Sequence, residues 1–111
     1  MNQLEFTKFL SNFDFVEKTR EQIIKDFNRC GWEIELKIDS IAFAKEELTQ
    51  QIAFHLSNFS TTELQQFIYT VDLQENKFLS AVTMNDDYQS LASEILKREA
   101  LKVFIRSNYS H

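Results

Sequence analysis

The near-absence of turn-forming residues constrains this chain more than any other feature. Its 111 residues contain no proline and a single glycine, Gly31. β-Sandwiches and barrels of this size depend on Gly and Pro for their tight turns, and phosphate-binding loops and dinucleotide fingerprints need several glycines. The sequence therefore argues against these classes and favours helices joined by short Asn-, Asp- and Ser-containing connectors.

Repeated capping-box patterns indicate where the helices begin. An Asp, Asn, Ser or Thr followed three residues later by Glu or Gln can satisfy two free amides at a helix start. The pattern occurs five times, and an apolar stripe of helical period follows each occurrence. With a further start in the middle of the chain, these signals predict six helices beginning at about residues 3, 15, 40, 61, 73 and 87. The five pairs are Asn2/Glu5, Asp14/Glu17, Ser60/Glu63, Asp72/Glu75 and Asp86/Gln89.

Residues 32–39 carry a different pattern, in which apolar and charged side chains alternate strictly. This is the period of a half-buried strand. Because no second segment offers a clear partner and an isolated strand is not stable, we expect an extended connector that lays alternate side chains on the bundle; a genuine strand is the alternative. The predicted fold is all-α, a compact bundle of about six helices forming one domain over residues 1–111.

The composition is that of a small acidic globular protein. Hydrophobic residues make up 43% of the chain, charged residues 26%, and the formal net charge is −5, which disfavours general nucleic-acid binding. No apolar run approaches the roughly 18 residues of a membrane span. The single cysteine, Cys30, cannot form an internal disulfide, which is typical of a reducing compartment. We therefore expect a cytoplasmic protein without membrane contact.

No catalytic or metal-binding motif is visible in the sequence. The two histidines, His55 and His111, have no Glu or His at the spacing of helical di-metal sites. Cys30 is interpreted as a small buried hydrophobe rather than a nucleophile. The sequence therefore predicts a protein that is not an enzyme and requires no metal or cofactor.

Two charged residues interrupt apolar stripes. Arg20 lies within the apolar face of the second helix, and Glu99 within that of the last helix. A charge in a core is costly unless it is paired and hydrogen-bonded, so we expect these helices to pack together and Arg20 and Glu99 to form a buried or half-buried ion pair. The pair would either specify the core or line a polar pocket with Lys102 or Arg106 nearby.

The third helix is apolar on two sides. Phe43 and Phe54 lie roughly opposite its main apolar face. Such a helix is either central in the bundle, with both rings buried internally, or shared with a partner. The second hypothesis is a symmetric homodimer with Phe43 and Phe54 at its interface. The main face consists of Ile41, Leu48, Ile52 and Phe59.

The function that these features predict is a non-enzymatic protein–protein interaction or regulatory module. In its narrower form, the protein is an acidic inhibitor whose carboxylates cover a basic partner. One alternative is a small-ligand binder with a Phe-lined pocket, since the chain holds eleven phenylalanines. Another is nucleic-acid or ribosome contact through Arg98, Lys102 and Arg106 of the last helix, although cations there also simply complement the helix dipole.

Overall fold

A computed structural model describes residues 6–8 and 10–109, and 74% of these residues are helical. Residues 6–8 belong to a first helix, α1. The other helices are α2 (Phe13–Arg29), α3 (Ala44–Leu56), α4 (Thr61–Val71), α5 (Glu75–Val82) and α6 (Gln89–Tyr109). The described residues contain no strand, which confirms the predicted all-α bundle. The start predicted near residue 3 and its capping pair lie outside the described residues.

The predicted positions of the helix starts agree with the structure better than the predicted capping residues do. The capping box at Ser60 forms as predicted, with Ser60 and Glu63 each accepting a hydrogen bond from the other's backbone amide. α2 is capped instead by Asn12, two residues before the predicted cap. Asp72 starts no helix, because it ends α4 in the left-handed conformation, with φ at 63°. In that position its carbonyl and carboxylate oxygens both accept hydrogen bonds from Arg98.

The core is built around α6, which packs against α2, α3, α4 and α5. Its buried face is apolar along most of its length. Aromatic rings from α2 and α4 pack beside it. The ring centroids of Phe27 of α2 and Phe67 of α4 are 4.1 Å apart, and the Phe59 ring contacts both. The alternative in which the third helix is central is therefore wrong, since α6 holds that place. The buried apolar residues of α6 are Leu91, Ala92, Ile95, Leu96, Ala100 and Val103.

Residues 32–39 form the predicted extended connector, which runs between α2 and α3. Leu36 is buried and the other apolar members of the alternation are half-buried against the core. On one side, the Gln51 side chain of α3 satisfies both the N–H and the C=O of Lys37, at 2.8 and 2.7 Å. On the other side, Arg20 of α2 donates to the Leu36 carbonyl. Side chains of the two helices thus replace a partner strand.

Candidate functional site

A polar cluster lies where α2 packs on α6, with a buried centre and an exposed edge at Arg106. We call it the α2–α6 cluster: Gln22, Asp26, Glu99, Lys102 and Arg106. The side chains of Asp26 and Glu99 are fully buried. The ammonium of Lys102 lies 2.8 Å from Asp26 Oδ2 and 2.7 Å from Glu99 Oε1, so one cation bridges two buried carboxyl groups on facing helices.

Helical spacing brings these residues together. On α2, Gln22 and Asp26 are one turn apart, and Gln22 Nε2 donates to Asp26 Oδ1 at 3.2 Å. On α6, Glu99, Lys102 and Arg106 follow the spacing of three and four that places residues on one helix face. Arg106 reaches across to Gln22 Oε1 at 2.7 Å. Two short polar stripes therefore face one another inside an otherwise apolar interface.

The two carboxyl groups differ in how well they are satisfied. Asp26 accepts from Gln22 and from Lys102, and the Arg29 guanidinium lies 3.6 Å from its Oδ1. Neither oxygen of Glu99 has a hydrogen-bond donor within the part of the chain that the structure describes. Lys102 contacts Glu99 Oε1 without hydrogen-bond geometry. Because buried oxygens without donors cost free energy, an ionised Glu99 is poorly accommodated.

Protonation resolves this mismatch. Burial, reinforced by a hydrogen-bonding and repulsive interaction with Asp26, raises the pKa of Glu99 to about 9, and the Lys102 ammonium opposes the shift. A protonated carboxyl group is a hydrogen-bond donor, and Asp26 is an acceptor within its reach. Closely spaced carboxyl groups that share one proton are the general outcome when two like charges cannot both ionise.

The predicted Arg20–Glu99 ion pair does not form. Arg20 Nη2 lies 2.9 Å from Glu17 of its own helix, and Nη1 binds the Leu36 carbonyl. The apolar face of α2 has two edges, and Arg20 lies on the edge that the connector covers, whereas Asp26 lies on the edge that α6 covers. The helical wheel places a residue at an edge but does not say which neighbour covers it, so the pairing was wrong.

Three of the four residues named for this site nevertheless converge. Glu99, Lys102 and Arg106 lie together at the α2–α6 contact. Sequence reasoning missed Asp26 and Gln22. Asp26 lies beyond the arc of Val16, Ile23 and Phe27 on the helical wheel, on the side of the polar residues Thr19 and Gln22, so the apolar pattern of α2 gave no signal for its burial.

The three stripe cations of α6 all have intramolecular partners. Arg98 binds Asp72 at the end of α4, at 2.9 Å. Lys102 binds the two buried carboxyl groups and Arg106 binds Gln22. Through Asp72, Asp26 and Gln22, each of the three cations ties α6 to another helix or its end, which gives the basic stripe a role within the fold.

Phe43 and Phe54 lie on the outside of the bundle. Their exposed fractions are 61% and 65%, so internal burial of the two rings is excluded in the single chain. Phe43 ends a short 3-10 helix (Ile41–Phe43) and is the residue before α3, whereas Phe54 lies in the last turn of α3. The two rings therefore lie near opposite ends of this helix, about 16 Å apart along its axis. The Phe54 ring meets the neighbouring His55 ring edge-on at 5.6 Å and otherwise faces outward.

Carboxylates are frequent in the connector and in the first turn of α3. Glu47 of α3 accepts a hydrogen bond from the Asp39 amide at 2.9 Å, which joins the connector to this helix. The outward side chains of the connector are mostly acidic, and Lys37 and Lys45 are the cations of the segment. We call this surface the acidic aromatic face; its members are Glu33, Glu35, Asp39, Phe43, Glu46, Glu47 and Phe54.

A shallow groove of about 560 Å³ lies between the end of α2 and α4. Most of its lining residues have polar side chains, and the Cys30 thiol at its edge is hydrogen-bonded to the Thr70 hydroxyl at 3.3 Å. It contains no phenylalanine and therefore differs from the Phe-lined pocket that the small-ligand alternative expects. The lining consists of Arg29, Cys30, Thr62, Gln65, Gln66, Tyr69 and Thr70.

Two further findings concern metal binding and membrane crossing. Within residues 6–8 and 10–109, no three His, Cys, Asp or Glu side chains gather as a metal site requires. None of the helices described combines the length and apolarity needed to cross a bilayer.

Comparison with protein-family models, with curated proteins and with solved structures found no match to this chain.

Proposed function

We propose that this protein is a non-enzymatic interaction module that binds a basic protein partner through the acidic aromatic face. The observation that carries the proposal is the exposure of two large rings, Phe43 just before α3 and Phe54 near its end, in a part of the chain that is rich in carboxylates. Exposed apolar surface that the fold does not cover is a common feature of interaction sites, and aromatic side chains dominate the energetics of interface centres.

The charge of the face favours a basic partner over a second copy of the chain. Five carboxylates and two ammonium groups lie between residues 33 and 47. A symmetric dimer would place two copies of this negative surface against each other, and like charges across an interface are unfavourable. A positively charged partner would instead be attracted at long range and would associate faster at low salt.

The face is also rigid. Leu48, Ile52 and Leu56 anchor the opposite side of α3 in the core, and Gln51 fixes the connector beside it through two backbone hydrogen bonds. A preformed surface loses little conformational entropy on binding. The reducing cytoplasm is the proposed location, supported by the unpaired thiol of Cys30.

The test compares a double variant with a matched control. Phe43→Ser/Phe54→Ser removes both rings. The control, Tyr69→Ser, removes a ring of α4 that is 87% exposed and lies outside the acidic aromatic face. Each protein is used to capture partners from the native host, and the affinity of any purified partner is then measured at low and high salt. We expect a partner of net positive charge whose affinity falls at least about 30-fold in the double variant and little in the control.

Two results would contradict the proposal. One is a partner that the double variant binds as well as the unaltered protein does. The other is a micromolar dimer in sedimentation that Phe43→Ser/Phe54→Ser dissociates, since this would assign the face to self-association.

A further inference from the structure

We propose that Asp26 and Glu99 share a single proton beneath Lys102, and that this proton fastens the C-terminal half of α6 to α2. Removal of the proton would release that half of the helix while the core around its first half stays packed. The inference is independent of the proposed function, because it concerns the α2–α6 cluster and not the acidic aromatic face.

The charges around Glu99 support a single shared proton. From α2, Asp26 faces Glu99, and Arg29 lies beyond Asp26 with a side chain that is 56% exposed. From α6, Lys102 contacts Glu99, while Arg106 is bound to Gln22. The charged groups that act most strongly on Glu99 are Asp26, which raises its pKa, and Lys102, which lowers it. Two fully buried carboxylates would therefore share one buried ammonium, whereas a proton leaves one negative and one positive charge.

The hydrogen bonds lead to the same conclusion. Asp26 already accepts from Gln22 and Lys102 and retains unused lone pairs, because a carboxylate accepts about four hydrogen bonds. Both oxygens of Glu99 lack a donor among the described residues. A proton on Glu99 turns this orphaned group into a donor to Asp26. The raised pKa of Glu99, about 9, has the direction that this arrangement requires.

The position of the cluster determines what it holds. The first half of α6 is secured by large apolar residues from Leu91 to Leu96. Beyond Ala100, only Val103 is buried among the residues up to 108. Among the polar side chains of the last turns, Lys102 and Arg106 reach across to α2, and the apolar Leu101 and Phe104 beside them are half-buried. A segment with few buried apolar contacts can open locally without global unfolding.

The expected pH dependence follows from the proton count. In the released state Glu99 would meet solvent and recover its ordinary pKa of 4.5, whereas in the packed state the pKa is about 9. Between these values opening releases one proton, so the opening equilibrium constant rises by up to about tenfold per pH unit as the pH increases. Below pH 4.5 the proton is bound in both states, and the dependence disappears.

Amide hydrogen exchange tests the proposal directly. Protection factors, corrected for the intrinsic pH dependence of exchange, are compared between residues 100–108 and 91–96 from pH 6 to pH 9. In the unaltered protein the protection of residues 100–108 should fall by about tenfold per pH unit or somewhat less, while that of 91–96 should hold. Glu99→Gln, which fixes the neutral form, should abolish this pH dependence, and the control Glu94→Gln should retain it.

The proposal is overturned if protection of residues 100–108 in the unaltered protein is independent of pH over this range. It is also overturned if Glu99→Gln shows the same pH dependence as the unaltered protein. The first measurement needs no variant, so the proposal remains open to refutation even if Glu99→Gln fails to fold.

Discussion

The ammonium of Lys102 lies 2.8 Å from the Asp26 carboxylate, and this contact joins α6 to α2 across 76 positions of the chain. Asp26 is fully buried, and the Lys102 side chain is only 18% exposed. The pair therefore differs from a surface salt bridge, whose contribution to stability is small. Its main effect is to make the removal of either partner costly, because the remaining charge is left in the core.

Lys102→Met should therefore lower the free energy of unfolding by about 3–5 kcal/mol, because it leaves Asp26 without its main cation. Urea denaturation at neutral pH measures the change. Lys97→Met is the matched control, since the Lys97 side chain is 38% exposed and its ion pair with Glu94 spans 3.8 Å. The control should change stability by no more than about 0.5 kcal/mol. Equal effects of the two substitutions would show that the cluster is not an essential tie.

Glu99→Gln should change how stability depends on pH. The folded state holds the Glu99 proton up to a pKa of about 9, whereas the unfolded chain releases it near 4.5. Between these pH values the folded state binds one more proton than the unfolded chain. The free energy of unfolding of the unaltered protein should therefore fall as the pH rises, by up to about 1.4 kcal/mol per pH unit. The variant lacks this contribution and should gain stability relative to the unaltered protein from pH 5 to pH 9. A constant difference across that range would contradict the prediction.

Gln51→Ala should loosen the connector. The Gln51 side chain makes the hydrogen bonds to both backbone groups of Lys37, and their loss should cost about 1–2 kcal/mol of stability. The amide of Lys37 should also exchange faster with solvent. Gln50→Ala, at the exposed neighbouring position, is the control and should leave that amide unchanged. Unaltered exchange at Lys37 in Gln51→Ala would mean that packing alone holds the connector.

Removal of the exposed rings should hardly affect folding. Phe43→Ser and Phe54→Ser change side chains that are 61% and 65% exposed, so each should shift the free energy of unfolding by about 0.5 kcal/mol or less. Phe67→Ala is the contrast, because this fully buried ring stacks on Phe27 and its loss should cost about 3–5 kcal/mol. Thermal or urea unfolding of the three variants distinguishes a surface role from a core role. A large loss of stability in Phe54→Ser would mean that its ring supports the fold.

Local sequence signals predicted the features that depend on local physics. The helix that starts after Ser60 has the predicted capping box, and residues 32–39 have the predicted extended conformation. The capping box follows from side chains that act within a few residues of themselves. The connector follows from a local alternation of apolar and charged residues, although Arg20 and Gln51 of the neighbouring helices complete its hydrogen bonds. Asp72 shows the limit of this reasoning, because a residue that can cap a helix start can equally end the preceding helix in the left-handed conformation.

Tertiary relationships were harder to predict. The burial of Glu99 could be anticipated because its place in an apolar stripe is a property of one helix. Its partners could not, since they depend on which edge of α2 faces α6, and the connector takes the edge that carries Arg20. The central place of α6 likewise depends on how all helices pack, so the exposure of Phe43 and Phe54 could not be decided from α3 alone.

The protonation state of Glu99 is the measurement that tests the account of the buried cluster most directly. The carboxyl carbon of Glu99, labelled with carbon-13 and assigned by its disappearance in Glu99→Gln, can be followed by NMR while the pH is raised from 4 to 10. The account predicts a protonated carboxyl group at neutral pH that titrates at about pH 9. A carboxyl group that has already ionised near its ordinary pKa of 4.5 in the folded protein would contradict it.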